Sequence, residues 1–143
     1  MSDTLSENEL EIRLLELSES LGYQKDTIAW VMGCVVEISD RYTIDPENPK
    51  HITAHEVCKG LIQDLCTLYN DPTEKVLLDL KIESSKDIGK IMYGLIEKEL
   101  ISQSENDAES DFSNIFLTAN IDAFIDQEKL KGKGLKPATY TIR

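Results

Sequence analysis

Both histidines of the chain and one of its three cysteines fall within "HITAHEVC", residues 51–58. His51, His55 and Cys58 offer two imidazole nitrogens and a thiolate, which are ligand types that zinc takes in proteins. Since His55 and Cys58 are three positions apart, a helix would place them on one face. A structural zinc site needs four ligands, however, and no C-x-x-C or second His/Cys pair follows. The three residues are therefore only weak metal candidates, and no cofactor is predicted.

The same stretch also has the pattern of a helix start. Thr53 and Glu56 stand in the T-x-x-E spacing of a capping box, and Ile52 and Val57 are placed to form a hydrophobic staple. A helix that begins at 53 or 54 leaves Cys58 more than a turn inside. There it is beyond most of the terminal dipole effect that lowers a thiol pKa. A nucleophilic cysteine is therefore not predicted.

Motifs and charge also bear on the class of function. The chain has no G-x-S-x-G, G-x-G-x-x-G or G-x-x-x-x-G-K-[ST] motif, and we predict that it is not an enzyme. Its net charge of −12 repels nucleic-acid phosphates and anionic membranes. The polar, acidic start is unlike a secretory signal, and no apolar run reaches the roughly 18 residues of a membrane span. These features favour a cytoplasmic protein with reduced thiols and protein partners.

A leucine stripe marks the first helix, predicted over 7–21 with Gly22 as a left-handed cap. Its members recur at steps of four, three and four, the spacing of one helix face: Leu10, Leu14, Leu17 and Leu21. These four residues are the predicted interaction site. They would form a homodimer or partner contact, and the alternative is that the stripe packs on the domain's own core.

Periodicity predicts five main helices, over residues 7–21, 26–41, 53–70, 72–80 and 86–100. Asp26, Asp71 and either Ser84 or Ser85 are the expected N-caps, with Pro72 at a first helical position. The second helix is apolar on nearly every side, and we expect it to be central and buried. Its Trp30, Met32 and Cys34 are therefore predicted as core residues. In the last of the five helices, Gly89 and Gly94 indicate close backbone packing.

The predicted architecture is a single, compact, mainly α domain. Residues 1–22 form the N-terminal amphipathic helix, and residues 23–126 form the helical core. Within that core, 102–114 is an acidic loop, and 115–125 is a short strand and a helical turn. Residues 127–143 form a basic, flexible tail.

The element order of the C-terminal half is similar to a winged helix-turn-helix. In that comparison 86–100 would be the recognition helix, and 100–118 would form a small β-hairpin with the wing. The helix contains no arginine, the usual guanine reader, and the wing would carry four carboxylates towards phosphate. Nucleic acid is therefore the alternative partner. The primary hypothesis is a non-enzymatic protein-interaction or assembly module.

Residues of the central segments also resemble a known family. From "HITAHEVCKGL" through "SSKDIGKIMYGLIEKELI" to Asp111 and Phe112, the chain resembles an uncharacterised bacterial domain family over about residues 26–125. The best-matching positions are His51, Thr53, Glu56, Gly60, Asp87, Gly89, Asp111 and Phe112. His55 and Lys81 depart from the family's pattern, in which a neutral polar residue and a glycine are usual. The resemblance implies no activity.

Overall fold

The computed structural model describes residues 6–42, 52–68, 72–101 and 109–130. Six α-helices lie in these ranges: α1 (Glu7–Leu21), α2 (Lys25–Tyr42), α3 (Ala54–Leu68), α4 (Thr73–Asp79), α5 (Ser85–Glu97) and α6 (Ile121–Glu128). Two short 3-10 helices, Glu109–Phe112 and Thr118–Asn120, complete the described part. The predicted mainly α class is confirmed. Residues 102–108 of the predicted acidic loop and 131–143 of the predicted tail lie outside the described residues.

Several helix ends follow the predicted local chemistry. Gly22 closes α1 in the left-handed region, with φ of 89°. At α3, Thr53 Oγ1 accepts from the Glu56 amide at 3.1 Å, and Glu56 Oε1 accepts from the Thr53 amide at 3.0 Å. Ser84 caps α5 and forms a second capping box with Asp87. These contacts satisfy amides that the helix itself leaves unpaired.

Three other predicted boundaries were wrong. α2 begins at Lys25, so Asp26 lies in its first turn; the Gln24 carbonyl accepts its first amide bonds. Pro72 precedes α4 with a non-helical ψ of 136° and is not its first residue, while Asp71 lies outside the described residues. α5 ends at Glu97 rather than Leu100, because the backbone turns through the left-handed region two residues later, where φ is 62°.

The centre of the fold is α5, which packs against α1, α2, α3 and the first 3-10 helix. Its two glycines make that packing close, as predicted. A Cβ at Gly94 would lie 2.9 Å from a methyl of Leu21 and 3.0 Å from a methyl of Leu17. A Cβ at Gly89 would lie 2.9 Å from the Cβ of Phe112. The glycines therefore let α1 and the segment after residue 108 approach the α5 backbone.

The predicted β-hairpin is absent from the described residues. The described part of the chain has a single isolated antiparallel bridge, between Ser84 and Leu117. Residues 115–125 contain a 3-10 turn and α6 instead of a strand. The buried Ser85 hydroxyl donates to the Phe112 carbonyl and accepts from the Ile115 amide at 3.1 Å. Side-chain hydrogen bonds thus satisfy backbone groups that a hairpin would have paired with another strand.

α2 is only partly as predicted. Cys34 is buried, while Trp30 and Met32 are partly buried and pack against the core. The helix also has a solvent side, where Val36 is half exposed. No helix within the described ranges is both long enough and apolar enough to cross a membrane.

Candidate functional site

The structure separates the two described members of the weak metal candidate. The His55 imidazole is half exposed, with Nε2 3.1 Å from a carboxylate oxygen of Glu128, and its ring lies 5.9 Å from that of Phe124. Cys58 is completely buried in the core. Positions three apart still differ by about 60° around a helix, and here the boundary of the core falls between them. His51 lies outside the described residues, within which no group of three His, Cys, Asp or Glu could hold a metal ion.

Burial governs the chemistry of Cys58. Removal from water disfavours the thiolate and raises the pKa of the Cys58 thiol above its ordinary value. A nucleophilic cysteine needs the opposite shift, because the thiolate is the reactive form. Cys58 therefore acts as a small apolar residue of the α3 core.

This pKa shift predicts a pH dependence of stability. Above about pH 8.5 the unfolded thiol ionises while the folded one stays protonated, so the unfolding free energy falls as pH rises. For Cys58 the limiting slope is about 1.4 kcal/mol per pH unit. Urea unfolding between about pH 7.5 and pH 9.5 should show a steeper fall in the wild type than in Cys58→Ala.

The matched control is Cys66→Ala, since Cys66 is only partly buried. Because burial is what shifts the pKa of the Cys58 thiol, Cys66→Ala should flatten the slope less than Cys58→Ala does. Parallel slopes for wild type and Cys58→Ala would contradict the assignment of the titration to Cys58.

A carboxylate links α2 to α3. Asp64 Oδ2 accepts from the Trp30 indole Nε1 at 2.8 Å, and the Cys34 thiol lies 3.6 Å from the same oxygen. A groove of about 360 Å³ opens beside it, lined in part by Glu37, Lys59 and Asp64. Sequence analysis missed Asp64, because Trp30 is 34 positions away and no local pattern indicates the pair. The contact gives the indole N–H of this partly buried Trp a hydrogen-bond partner.

A second carboxylate ties the α1–α2 turn to α5. Tyr23 is buried, and its hydroxyl donates to Asp87. The other Asp87 oxygen accepts from the amides of Glu83 at 2.7 Å and Ser84 at 3.2 Å. Burial, followed by the hydrogen bond to Asp87, raises the pKa of Tyr23. Both carboxylate oxygens of Asp87 therefore accept hydrogen bonds at the start of α5.

Several positions of the family resemblance have structural tasks in this chain. Thr53, Glu56 and Asp87 belong to capping boxes. Gly89 makes room for Phe112, which is buried. Each of these contacts gives its residue a role in folding, and that role does not require catalysis.

The leucine stripe that was predicted as an interaction face lies against the protein's own core. Leu14 and Leu17 are 4% and 3% exposed, while Leu10 and Leu21 are partly buried and pack against the core cluster. α1 contacts α2 and α5. In this fold a partner would reach the stripe only if α1 detached.

The opposite side of α1 carries an apolar pair that sequence analysis did not identify. Ile12 is 49% exposed and Leu15 is 46% exposed. Asn8, Ile12, Leu15 and Glu19 are separated by four, three and four positions, as the leucines of the stripe are. This spacing was the signal in the sequence that Ile12 and Leu15 share one side of the helix. We call Ile12 and Leu15, together with their exposed helical neighbours Asn8, Glu9, Glu11, Glu16 and Glu19, the outer face of α1.

Polar contacts hold this helix in place along both of its edges. The Arg13 guanidinium donates to the Lys98 carbonyl at 2.7 Å, just after α5. Glu16 pairs with the Lys98 ammonium at 2.9 Å, and Glu11 pairs with Lys25 at the start of α2. The outer face is therefore presented on a helix that is anchored to two others.

Comparison with models of protein families, with curated proteins and with solved structures gave no match.

Proposed function

We propose that this protein is a non-enzymatic protein-interaction module and that the outer face of α1 is its contact surface. The observation that carries the proposal is the pair of large apolar side chains, Ile12 and Leu15, about half exposed on an anchored helix. A partner helix or groove recognises such a pair as anchors at helical spacing. Covering them removes apolar area from water, which favours association.

The side chains that could do chemistry support this proposal, because each of them makes contacts within the fold. Cys58 is buried in the core, and His55 lies against Glu128 and Phe124. Asp64 and Asp87 accept hydrogen bonds that join helices. We propose that the protein is cytoplasmic, where its three cysteines, which form no disulfide, stay reduced.

Nucleic-acid binding through α5 is less well supported. Lys86, Lys90 and Glu97 face solvent, while the other sides of α5 pack against α1, α2, α3 and the first 3-10 helix. A recognition helix enters the major groove with a whole face. The narrow and mixed-charge exposed strip of α5 favours the protein-binding proposal.

The proposal is tested with two matched double variants. The α1-face variant is Ile12→Gln with Leu15→Gln, and the control is Leu78→Gln with Leu117→Gln, two leucines that are 50% and 58% exposed elsewhere. A photo-crosslinker at Asn8 captures partners from a native lysate, and each candidate is then purified and its affinity measured by calorimetry. Binding of at least one purified partner should weaken roughly tenfold in the α1-face variant and stay unchanged in the control.

The proposal fails if no purified protein binds wild type more tightly than the α1-face variant. Circular dichroism of both variants checks that the helical content is retained. Since all four changes replace half-exposed residues and keep a good helix former within α1, we expect both variants to fold.

A further inference from the structure

The helical surroundings of the exposed pair restrict the chemistry of its partner. On a helix, the neighbours of a residue lie three and four positions away. Around Ile12 and Leu15, apart from each other, these positions are Asn8, Glu9, Glu11, Glu16, Ser18 and Glu19. Four of the six are glutamates. The apolar pair is thus surrounded mainly by carboxylates.

The charge around the pair is only partly neutralised. Glu11 and Glu16 form their ion pairs with lysines at the two edges of α1. Glu9 and Glu19 are exposed, and Arg13 is directed to the Lys98 carbonyl rather than to the outer face. The outer face therefore combines an apolar centre with a negative rim.

Charge also favours one of the two simplest partners for this face, a second copy of the chain and a different protein with basic residues, over the other. A second copy of the chain would bring its own glutamates against these glutamates, and each copy carries a net charge of −12. Like charges facing each other across an interface oppose association. A partner with basic residues around apolar anchors would gain from both the rim and the overall field of the protein.

We infer that the outer face of α1 binds a basic amphipathic helix of another protein, with apolar residues at helical spacing flanked by Lys or Arg. This inference rests on the proposed function and specifies the partner of the same surface. Two half-exposed apolar residues give a small anchor, so the contact is weak. The acidic rim makes it sensitive to salt, because screening weakens attraction between exposed charges.

The test uses the full chain and two synthetic helical peptides of about 18 residues, or five turns. One has a leucine stripe flanked by lysines, and the other replaces every lysine with glutamate. Fluorescence anisotropy of labelled peptides is measured at about 50 mM and about 300 mM salt. The lysine peptide should bind wild type and weaken at the higher salt, and the glutamate peptide should not bind.

Variants separate specific docking from general attraction to an acidic protein. The α1-face variant keeps every charge, so purely electrostatic binding would be the same as in wild type. We expect it to weaken the lysine peptide roughly tenfold, and the Leu78→Gln with Leu117→Gln control to change nothing. Glu9→Gln with Glu19→Gln should weaken binding about threefold and reduce the effect of salt.

Equal binding of the lysine peptide to wild type and the α1-face variant would overturn the inference. Binding of the glutamate peptide with similar affinity would do the same. Sedimentation equilibrium tests whether the partner is a second copy of the chain. Self-association of wild type that is lost in the α1-face variant would refute the basic partner, but this face would still be a protein-binding surface. The partner chemistry and the proposed function can therefore fail separately.

Discussion

Ser85→Ala should lower the free energy of unfolding by about 2 to 4 kcal/mol, although it removes one oxygen atom. The Ser85 hydroxyl is fully buried and bonds the Phe112 carbonyl and the amides of Ile115 and Phe116. Alanine leaves the buried Phe112 carbonyl and Phe116 amide, and the part-buried Ile115 amide, without that partner. An unpaired buried group costs more than a hydrogen bond contributes. Urea unfolding followed by circular dichroism measures the loss.

Ser110→Ala is the matched control, because Ser110 is exposed in the first 3-10 helix. It should change stability by less than about 0.5 kcal/mol. Hydrogen exchange adds a local measurement, since the Ile115 and Phe116 amides should exchange faster in Ser85→Ala. A loss below about 1 kcal/mol would show that the segment after residue 111 does not depend on this hydroxyl.

Alanine substitutions at two helical glycines should have opposite effects. Gly89→Ala should destabilise the protein by about 1 to 3 kcal/mol, because the new methyl would overlap Phe112 and lie 3.3 Å from the Glu109 carbonyl oxygen. Gly33→Ala should stabilise it by about 0.5 to 1 kcal/mol, since Gly33 lies inside α2 and, apart from the adjacent backbone of that helix, no atom lies within 4 Å of an added Cβ. Both replace glycine by a better helix former, so the difference reports packing.

Gly94→Ala gives an intermediate case for the same measurement. Its added methyl would meet the ends of the Leu17 and Leu21 side chains, which can rotate away, whereas Gly89 faces the Cβ of Phe112 and a backbone carbonyl. Thermal and urea unfolding should therefore show Gly33→Ala as the most stable of the three variants, Gly94→Ala as intermediate and Gly89→Ala as the least stable. Equal stability of the Gly33 and Gly89 variants would contradict the close contact between α5 and Phe112.

At three helix ends, contacts that span three or four residues were predicted from the sequence. The Thr53–Glu56 box, the Ser84 cap and the left-handed Gly22 each depend on neighbours along the chain, and each is present. The α2 start was wrong by one residue, because the Gln24 carbonyl accepts the first helical bonds although Asp26 is the better capping residue.

The hairpin prediction failed for a non-local reason. Residues 109–120 can form a strand or a turn, and the choice depends on which groups pair with their backbone. The Ser85 hydroxyl pairs with Phe112, which is 27 positions away, and the Thr118 hydroxyl donates to the Ile82 carbonyl across 36 positions. No pattern within 109–120 contains that information.

The sequence alone determined that the chain forms amphipathic helices and where several of them begin or end, because local sterics and hydrogen bonding decide those features. Tertiary structure decided which side of α1 is buried in the core and which carries Ile12 and Leu15 to solvent. It also separated His55 from Cys58, and joined Trp30 to Asp64 across 34 positions. The physical reason is that burial depends on which helices meet, and residues far apart in the chain determine those meetings.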